Sequence, residues 1–470
     1  MRAFLFSTIC FFFLFNPAYS QNGKNLYTMY CAGCHGANLE GTGSASKLYR
    51  PIWKHGSERD DIINTIANGV PSTTMIPWQG ALTKAEIESL ADYILEVQKL
   101  PPREVINTAT EYISTSDYKL KVEKVVTENL GIPWGIEFLN QDSALVSEKS
   151  GQLKWLVKGQ LDESTIKGLP VTHLKSSTGG YMDIALDPNY SQNGWIYLAY
   201  SHTDGDQLDE NAKALTKIIR GRITDHYWTD QQTLFEVPDS LKVVRGNRWG
   251  CRFLFDQQGY LYFTIGDMGK AQDSQRLNKA TGKVFRINPD GSIPQDNPYI
   301  HDQDALPQIY TIGNRNVQGI AQHPTTGEIW ATEHGPRGGD ELNILKKGAN
   351  YGWPVITYGI NYNGTIITEK THQEGMEQPI VEWTPSIAVC PAEFCSSPLF
   401  SKWKDNLLVG ALAFQEIRRL TIQGQKVTGQ ELLLKGMGRI RELKFAPDGS
   451  LYVLTSGPNQ ILRLTPVEAP

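Results

Sequence analysis

Residues 443–454 read LKFAPDGSLYVL, and this short stretch decides the fold of most of the chain. Apolar residues alternate with polar ones on both sides of Pro447-Asp448-Gly449, a combination typical of a tight turn. The pattern therefore predicts two antiparallel strands joined by that turn. A single hairpin is at best marginally stable in water, so these two strands need further strands beside them.

The same arrangement recurs along the chain. Similar strand-turn-strand patterns occupy residues 134–148, 182–198, 252–263 and 319–330, and a weaker one lies around 406–410. Six hairpins at unequal spacing, without long stretches for crossover helices between them, are typical of a β-propeller with loop insertions. We therefore predict an all-β, six-bladed β-propeller over residues 119–470, with its functional residues just after strands at one end of the central channel.

A different pattern marks the N-terminal part of the chain. Cys31-Ala32-Gly33-Cys34-His35 has the spacing for covalent attachment of a c-type haem. The two thiols would bond the haem vinyl groups, and His35 would ligate the iron. A structural zinc site needs four ligands, and no second cysteine pair follows. The motif therefore predicts haem c and electron transfer.

Helical patterns surround this motif and predict a small all-α domain over residues 21–99. The clearest helix starts at the capping box of Thr83 and Glu86. A loop with Met75 between prolines precedes it, and a thioether is a suitable second iron ligand. Packing of Met75 against the core is the alternative. This stretch resembles class I cytochromes c, and residues 100–118 read as a linker.

Charge and the N-terminus limit the possible partners and compartments. A net charge of −5 and a pI near 6.0 argue against a nucleic-acid partner. Residues 1–20 resemble a secretory signal peptide, with Arg2, an apolar run and a small-residue cleavage site. We therefore expect a periplasmic or secreted protein that is not integral to the membrane after cleavage. The pairing of Cys251, Cys390 and Cys395 stays open.

Three loops of the propeller carry candidate binding residues. Residues 333–341, EHGPRGGDE, follow a strand and combine tight backbone with carboxylates, which suits a hard cation such as calcium. A compact structured loop is the alternative. Arg315 lies in GNRN at 313–316, and Arg439 and Arg441 begin a later strand. These arginines would converge on an anionic ligand, or each would form an ordinary surface ion pair.

Residues 133–464 resemble the glucose/sorbosone dehydrogenase family, the soluble aldose sugar dehydrogenases that use pyrroloquinoline quinone (PQQ). The resemblance rests on EHGPRGGDE, NYGWP, GNRN, GKVFRINPDGSIPQDNP and RIRELKFAPDGSLYVLT. It implies a six-bladed propeller that oxidises a sugar or related alcohol and passes the electrons to the fused haem and then to a downstream acceptor. It also implies calcium on the carbonyls of Gly335 and Pro336. The residues implied to hold PQQ are Arg315, Asn316, Arg439 and Arg441.

This chain departs from the family pattern at the catalytic base. The family places a histidine in a motif like NHxGGR, where this chain reads Asn247-Arg248-Trp249-Gly250-Cys251-Arg252. A guanidinium cannot accept the substrate proton. Thr178 replaces a family glutamine, and His334 is the tentative substitute base. The alternative function is a catalytically silent propeller that binds a glycan or a protein.

Overall fold

The computed structural model describes residues 17–35, 39, 47–49, 53–71, 73, 75–99, 110–175 and 178–468. Residues 1–16 of the predicted signal segment and 100–109 of the predicted linker lie outside these ranges. No described helix is both long and apolar enough to cross a membrane. The α-helices are α1 (Pro17–Tyr30), α2 (Ala32–His35), α3 (Arg59–Asn68), α4 (Lys84–Lys99) and α5 (Tyr190–Asn193), and the 3-10 helices are Asp239–Leu241, Ala271–Gln275 and Pro398–Trp403.

The first four α-helices form the small N-terminal domain. The backbone N–H and hydroxyl of Thr83 both donate to Glu86 Oε2 at 2.8 Å, which confirms the capping box at the start of α4. Apolar residues of α3 and α4 face one core, because they recur at helical spacing. That core contains Leu26, Tyr27, Ile62, Ile66, Trp78, Ile87, Leu90 and Ile94.

Residues 110–468 form six antiparallel sheets, and this confirms the predicted six-bladed propeller. The sheets are blade 1 (Pro133–Phe138, Ser143–Glu148, Gln152–Val157, Gln160–Leu161), blade 2 (Tyr181–Leu186, Ile196–His202, Lys213–Thr224, Tyr227–Phe235, with Val243–Val244 beside the third strand), blade 3 (Phe253–Phe255, Leu261–Ile265, Lys283–Ile287, Ile309–Thr311), blade 4 (Val317–Gln322, Ile329–Glu333, Asp340–Leu345, Val381–Trp383), blade 5 (Val389–Phe394, Leu407–Ala411, Glu416–Gln423, Lys426–Lys435) and blade 6 (Arg439–Phe445, Leu451–Ser456, Gln460–Glu468, Lys119–Val126, Thr110–Ser114).

The first strand of each blade lines the central axis. Each first strand contacts the first strands of the two neighbouring blades, and the six contacts close a ring. Five of the predicted hairpins contribute the first two strands of their blades, as Phe445 opposite Leu451 shows for blade 6. The weaker stretch at 406–410 corresponds only to the second strand of blade 5, Leu407–Ala411. Antiparallel pairing then places the start of each first strand beside the end of the second strand. Residues at these two positions therefore share one face of the ring.

The chain closes the ring by pairing its two ends. Residues 119–126 form the fourth strand of blade 6 beside Gln460–Glu468, so one blade contains both ends of the propeller sequence. Part of the stretch predicted as a linker, residues 100–118, is a strand in the structure. Thr110–Ser114 pairs with residues 119–123 and adds a fifth strand at the outer edge of blade 6, where it satisfies backbone hydrogen bonds. The thiols of Cys251, Cys390 and Cys395 are buried and form no disulfide. The other predicted domain boundaries stay predictions.

Candidate haem site and propeller site

The CxxCH motif folds into a single helical turn. The backbone N–H groups of Cys34 and His35 donate to the carbonyl of Cys31 at 3.1 and 2.9 Å. This turn places both thiols and the imidazole side by side directly after α1. Burial raises the pKa of the Cys31 thiol to about 12. The thiol is therefore neutral in the absence of a bond to another group, and the arrangement fits covalent attachment of haem.

The two methionines of this domain differ in their surroundings. Met29 is 48% exposed, whereas Met75 packs against the same core as Cys31. The loop around Met75 is held by two hydrogen bonds: the Val70 N–H donates to the Met75 carbonyl at 2.9 Å, and the Met75 N–H donates to Thr73 Oγ1 at 3.1 Å. Met75 is therefore the methionine whose position fits an iron ligand, and its role stays a prediction.

The predicted propeller residues share the face defined above. They lie just before or at the start of a first strand, or just after a second strand, and they are Thr178, Arg248, Arg315, Asn316, His334, Gly335, Pro336, Arg439 and Arg441. Asn316 is 3% exposed, and its Oδ1 accepts a hydrogen bond from Gln318 at 3.1 Å. The propeller fold thus brings together residues from blades 2, 3, 4 and 6.

Arginine charges concentrate at this face. Arg315 is 3% exposed, and its Nη1 donates to the carbonyls of His334 and Gly335 at 2.9 and 2.5 Å. The guanidinium of Arg441 lies 5.1 Å from the ring centroid of Trp134. The Nε atoms of Arg315 and Arg441 are shielded from solvent and have no hydrogen-bond partner among the described residues. Buried donors without partners cost free energy, so the site fits an anionic ligand.

A lysine that sequence reasoning missed adds to this charge. Lys149 follows the second strand of blade 1, and burial together with the positive charge of Arg441 lowers its pKa. The only sequence signal for Lys149 is its position directly after a predicted strand. Cations from blades 1, 4 and 6 therefore face the same space, which strengthens the preference for a ligand with several negative charges.

Arg248 is held firmly at the edge of this cluster. Its backbone has a φ of 58°, its Nε donates to Asn247 Oδ1 at 2.9 Å, and its Nη1 donates to Asp267 Oδ2 at 3.2 Å. Trp353 Nε1 donates to the same carboxylate oxygen at 2.9 Å. Burial and the charge of Arg315 lower the pKa of Arg248. Asp267 and Trp353 are therefore positioning residues that the sequence did not reveal.

Thr178 and Arg248, the two positions at which this chain departs from the family pattern, lie close together in the structure. The hydroxyl of Thr178 accepts a hydrogen bond from the backbone N–H of Trp249, next to Arg248, at 3.2 Å. Thr178 and Arg248 come from segments before different blades. The substitutions therefore alter one part of the site together.

His334 faces the arginine cluster as a neutral imidazole. Burial and the charges of Arg315, Arg441 and Arg439 lower its pKa to about 3. Its Nε2 is shielded from solvent and has no hydrogen-bond partner among the described residues. A ring nitrogen of His334 is therefore available to a ligand at this face.

Two carboxylates near this face, Asp340 and Asp183, have structural partners. Asp340 accepts hydrogen bonds from the Gly335 N–H at 2.9 Å, the Ser386 hydroxyl at 2.7 Å and the Val389 N–H at 2.9 Å. Asp183 accepts from the Phe253 N–H at 2.8 Å and lies 3.6 Å from the guanidinium of Arg252. These contacts fix the loop and the strands below the site, so neither carboxylate is placed to act as the base.

The loop that contains Gly335 is tightly folded. A Cβ atom on Gly335 would lie 2.1 Å from the carbonyl oxygen of Gly339, so the loop requires glycine here. Glu333, at the start of the loop, accepts hydrogen bonds from the Arg315 N–H and, at 3.0 Å, from Asn314 Nδ2. Burial raises the pKa of Glu333 to about 7, and burial and the charge of Glu333 raise that of Glu341 to about 8.

The fold and the two sites define a class of protein: a propeller with a cationic site at one face, joined to a small helical domain with a haem-attachment motif. Residues 130–463 match the family model "Glucose / Sorbosone dehydrogenase", and residues 19–94 match "Cytochrome C oxidase, cbb3-type, subunit III". The chain belongs to the glucose/sorbosone dehydrogenase family and carries an N-terminal cytochrome c domain. It is therefore an oxidoreductase of the sugar dehydrogenase type with a haem c domain.

Relatives agree with this assignment. The aldose sugar dehydrogenase YliI of Escherichia coli is 36% identical over 73% of this chain and 92% of its own length. The solved apo-form of the soluble aldose sugar dehydrogenase from E. coli aligns with a TM-score of 0.67 and 35% identity, over 74% of this chain and 99% of that one. The PQQ-bound aldose sugar dehydrogenase of Streptomyces coelicolor aligns with a TM-score of 0.57 and 25% identity, over 74% and 98%.

Proposed function

We propose that the protein is an exported quinohaemoprotein that oxidises an aldose or a related alcohol with PQQ and calcium, and passes the electrons to its own haem c. The observation that carries this proposal is the pair of buried Nε donors on Arg315 and Arg441 that have no partner among the described residues, on the face that the family uses for its cofactor. PQQ has three carboxylates and suits such a site.

Four residues would hold PQQ. Arg315 and Arg441 offer buried donors, Arg439 is the first residue of the first strand of blade 6, and Asn316 is anchored through Gln318. When bound, PQQ supplies the two-electron acceptor for hydride from the sugar C1. The protein orients that group and polarises it. Removing any one of the three arginines would weaken PQQ binding, because the remaining cations would neutralise less of the ligand's negative charge in a poorly solvated place.

The calcium would be held by the carbonyl oxygens of Gly335 and Pro336. Arg315 Nη1 donates to the Gly335 carbonyl, and the second lone pair of that oxygen would ligate the cation, against the repulsion of the arginine charge. Buried carboxylates with raised pKa values at Glu333, Asp340 and Glu341 surround the loop. A divalent cation reduces the free-energy cost of burying them. The donor set therefore fits a hard cation.

The proton of the substrate hydroxyl needs an acceptor. Arg248 lies at the family's histidine position but donates through Nε and Nη1, and a guanidinium has no free electron pair for a proton. In this proposal Arg248 donates a hydrogen bond to the substrate instead. His334 Nε2 has no hydrogen-bond partner among the described residues, and it would take the role of acceptor once the negative charge of bound PQQ offsets the arginines that lower its pKa. Loss of turnover in His334→Gln with PQQ binding retained checks this assignment.

Electrons would leave through the cytochrome domain. Cys31 and Cys34 would attach the haem, and His35 and Met75 would ligate its iron. A haem takes one electron at a time, so each oxidised sugar requires two transfers and a downstream acceptor. Fusion in one chain keeps donor and acceptor at high effective concentration.

The compartment follows from the N-terminal segment. Residues 1–20 have the composition of a secretory signal, and bacteria attach haem c outside the cytoplasm. We propose that the mature protein is periplasmic or secreted. The mass of the N-terminal peptide of the exported protein tests this proposal. An exported protein that still contains residues 1–20 would contradict it.

A binding titration tests the cofactor proposal. The protein without PQQ is titrated with PQQ in the presence of calcium and, separately, in the presence of a chelator. We expect saturable binding that calcium strengthens, because a cation held by the loop carbonyls would add positive charge to the site of an anionic ligand. Absence of binding under both conditions would contradict the proposal.

One observation favours a second candidate function. Arg248 and Thr178 change the same part of the site, and both replace residues that the family uses there. A propeller that has lost catalysis and binds a glycan or a protein would tolerate this. Activity that appears only in Arg248→His would support that alternative.

A further inference from the structure

One contact joins the haem domain to the loop that carries Gly335 and Pro336. The guanidinium carbon of Arg337 lies 3.8 Å from the ring centroid of Tyr30. Tyr30 ends α1 and directly precedes Cys31, and Arg337 directly follows Pro336. At this distance the cation lies over the aromatic face, a favourable cation–π geometry. A single contact thus connects the haem-attachment turn with the candidate calcium loop.

A second contact lies beside the first. A Cβ atom on Gly364 would be 2.9 Å from the Cβ of Ala81, so the two backbones approach closely there. Gly364 belongs to a turn in which the Asn361 N–H donates to the Thr365 carbonyl at 2.9 Å. This turn is connected to the Arg337 loop, because Arg337 and Ile360 exchange backbone hydrogen bonds of 2.9 and 3.1 Å. The two propeller segments therefore act as one surface.

The haem-domain side of this contact is rigid. The ring centroids of Tyr30 and Trp78 are 5.6 Å apart, and Trp78 is buried in the helical core. The backbone N–H of Ala81 donates to the Trp78 carbonyl at 2.9 Å. Tyr30 and Ala81 are therefore fixed relative to each other through Trp78.

Charge complements the shape beside this contact. Hydrogen bonds from Thr83 and, more weakly, the positive charge of Arg337 lower the pKa of Glu86. The carboxylate of Glu86 on the haem domain therefore lies within the field of Arg337.

We propose that residues 335–337 and 361–365 form the docking surface for the haem domain, and that Arg337 is a positioning residue that sets the rate of electron transfer to the haem. The electron-transfer part rests on the proposed function. Oxidation of one sugar releases two electrons and two protons. The ferric haem takes one electron and becomes ferrous, and it must pass that electron to a one-electron acceptor before it takes the second.

The test compares variants on both sides of the contact. Arg337→Ala and Tyr30→Leu remove the cation–π contact, whereas Arg337→Lys and Tyr30→Phe preserve a cation or a ring. The matched control is Arg222→Ala, since Arg222 lies 3.8 Å from the Trp195 ring centroid in blade 2, away from the haem domain. Haem reduction by sugar is followed by rapid mixing of the holoenzyme. Reduction of a small dye by the same holoenzyme measures the propeller alone.

We expect Arg337→Ala and Tyr30→Leu to slow haem reduction about 2- to 30-fold, the range that corresponds to loss of one cation–π contact. Dye reduction should stay unchanged. Arg337→Lys and Tyr30→Phe should recover most of the rate, and the control should match the wild type. A merely structural role for Arg337 would alter dye reduction as well, and this result would overturn the proposal.

Hydrogen exchange of the protein without PQQ separates docking from chemistry. We expect the turn at 361–365 to exchange faster in both disrupting variants, because it loses its cover. Unchanged exchange together with unchanged haem reduction would overturn the docking surface. Failure of the proposed function shows up differently, as a wild-type holoenzyme that reduces neither dye nor haem.

Discussion

The two halves of the molecule build their candidate sites in opposite ways. The haem domain places Cys31, Cys34 and His35 on one helical turn, so neighbours in sequence are neighbours in space. The propeller assembles its site from separate blades, as the charges of Arg315 and Arg441 on His334 show. The first site depends on a few bonds within one segment, whereas the second depends on a rigid ring that holds distant segments together.

The two candidate sites should therefore respond differently to mutation. Loss of one covalent anchor removes a haem bond that no other group replaces. Loss of one arginine leaves other cations facing the ligand, and the effect is graded. Variants in both halves of the molecule test this contrast.

Replacement of both haem thiols should give an all-or-none result. In the double variant Cys31→Ala and Cys34→Ala we expect no covalently bound haem, because both vinyl bonds are lost. Haem absorbance after denaturation in acid measures this, and PQQ binding by the propeller serves as the control. Haem that stays covalently attached would contradict the assignment.

Replacement of one buried arginine should weaken PQQ binding strongly without abolishing it. For Arg441→Gln we expect an increase in Kd on the order of 10³, because one partner of a poorly solvated charge pair is lost. The matched control is Arg463→Gln, an arginine on the third strand of the same blade that pairs with Asp448 at 2.7 Å. Equal effects of both variants would show that Arg441 does not face the ligand.

Restoring the family histidine should increase turnover. For Arg248→His we expect the wild type to be active and kcat to rise on the order of 10², because an imidazole can accept the substrate proton. Dye-linked turnover at saturating sugar measures this. A variant that is active beside an inactive wild type would favour the silent propeller.

Replacement of the second iron ligand should shift the haem potential and leave the propeller unaffected. A thioether raises the potential relative to a second imidazole. For Met75→His we therefore expect a shift to a more negative value, within the range of about 0.8 V that axial ligands control. A redox titration of the haem checks this. An unchanged potential would mean that Met75 only packs against the core.

Loss of the helix cap should have the smallest effect. For Thr83→Ala we expect the free energy of unfolding of the haem domain to fall by about 1 kcal/mol, since the cap hydrogen bonds to Glu86 are lost. Thermal unfolding followed at the haem band measures it. The control is Thr28→Ala, whose hydroxyl donates only to the Lys24 carbonyl in α1 at 2.9 Å.

The local features of both halves could be predicted from the sequence. The CxxCH spacing, the cap of α4 and the six hairpins all follow from residues close together in the chain. Their physical signals are short-range hydrogen bonding and apolar periodicity. This is why the fold and the haem-attachment turn agree with expectation.

The hydrogen bonds and ion pairs that hold the propeller site in place could not be predicted from the sequence in the same way. Arg252 donates to Glu442, a residue 190 positions away, and to the carbonyl of Arg441. The carboxylate of Asp267 accepts hydrogen bonds from both Arg248 and Trp353. Such pairs carry no local pattern, because only closure of the ring brings them together. The contact between Arg337 and Tyr30 is hidden for the same reason.

The central claim is that the propeller supplies electrons to the haem in the same chain. The most direct measurement is the haem absorbance of the purified protein after loading with calcium and PQQ and addition of a panel of aldoses without any external mediator. We predict reduction of the haem by at least one sugar, at a rate independent of protein concentration because transfer is intramolecular. A haem that stays oxidised with every sugar, although PQQ is bound, would contradict the account.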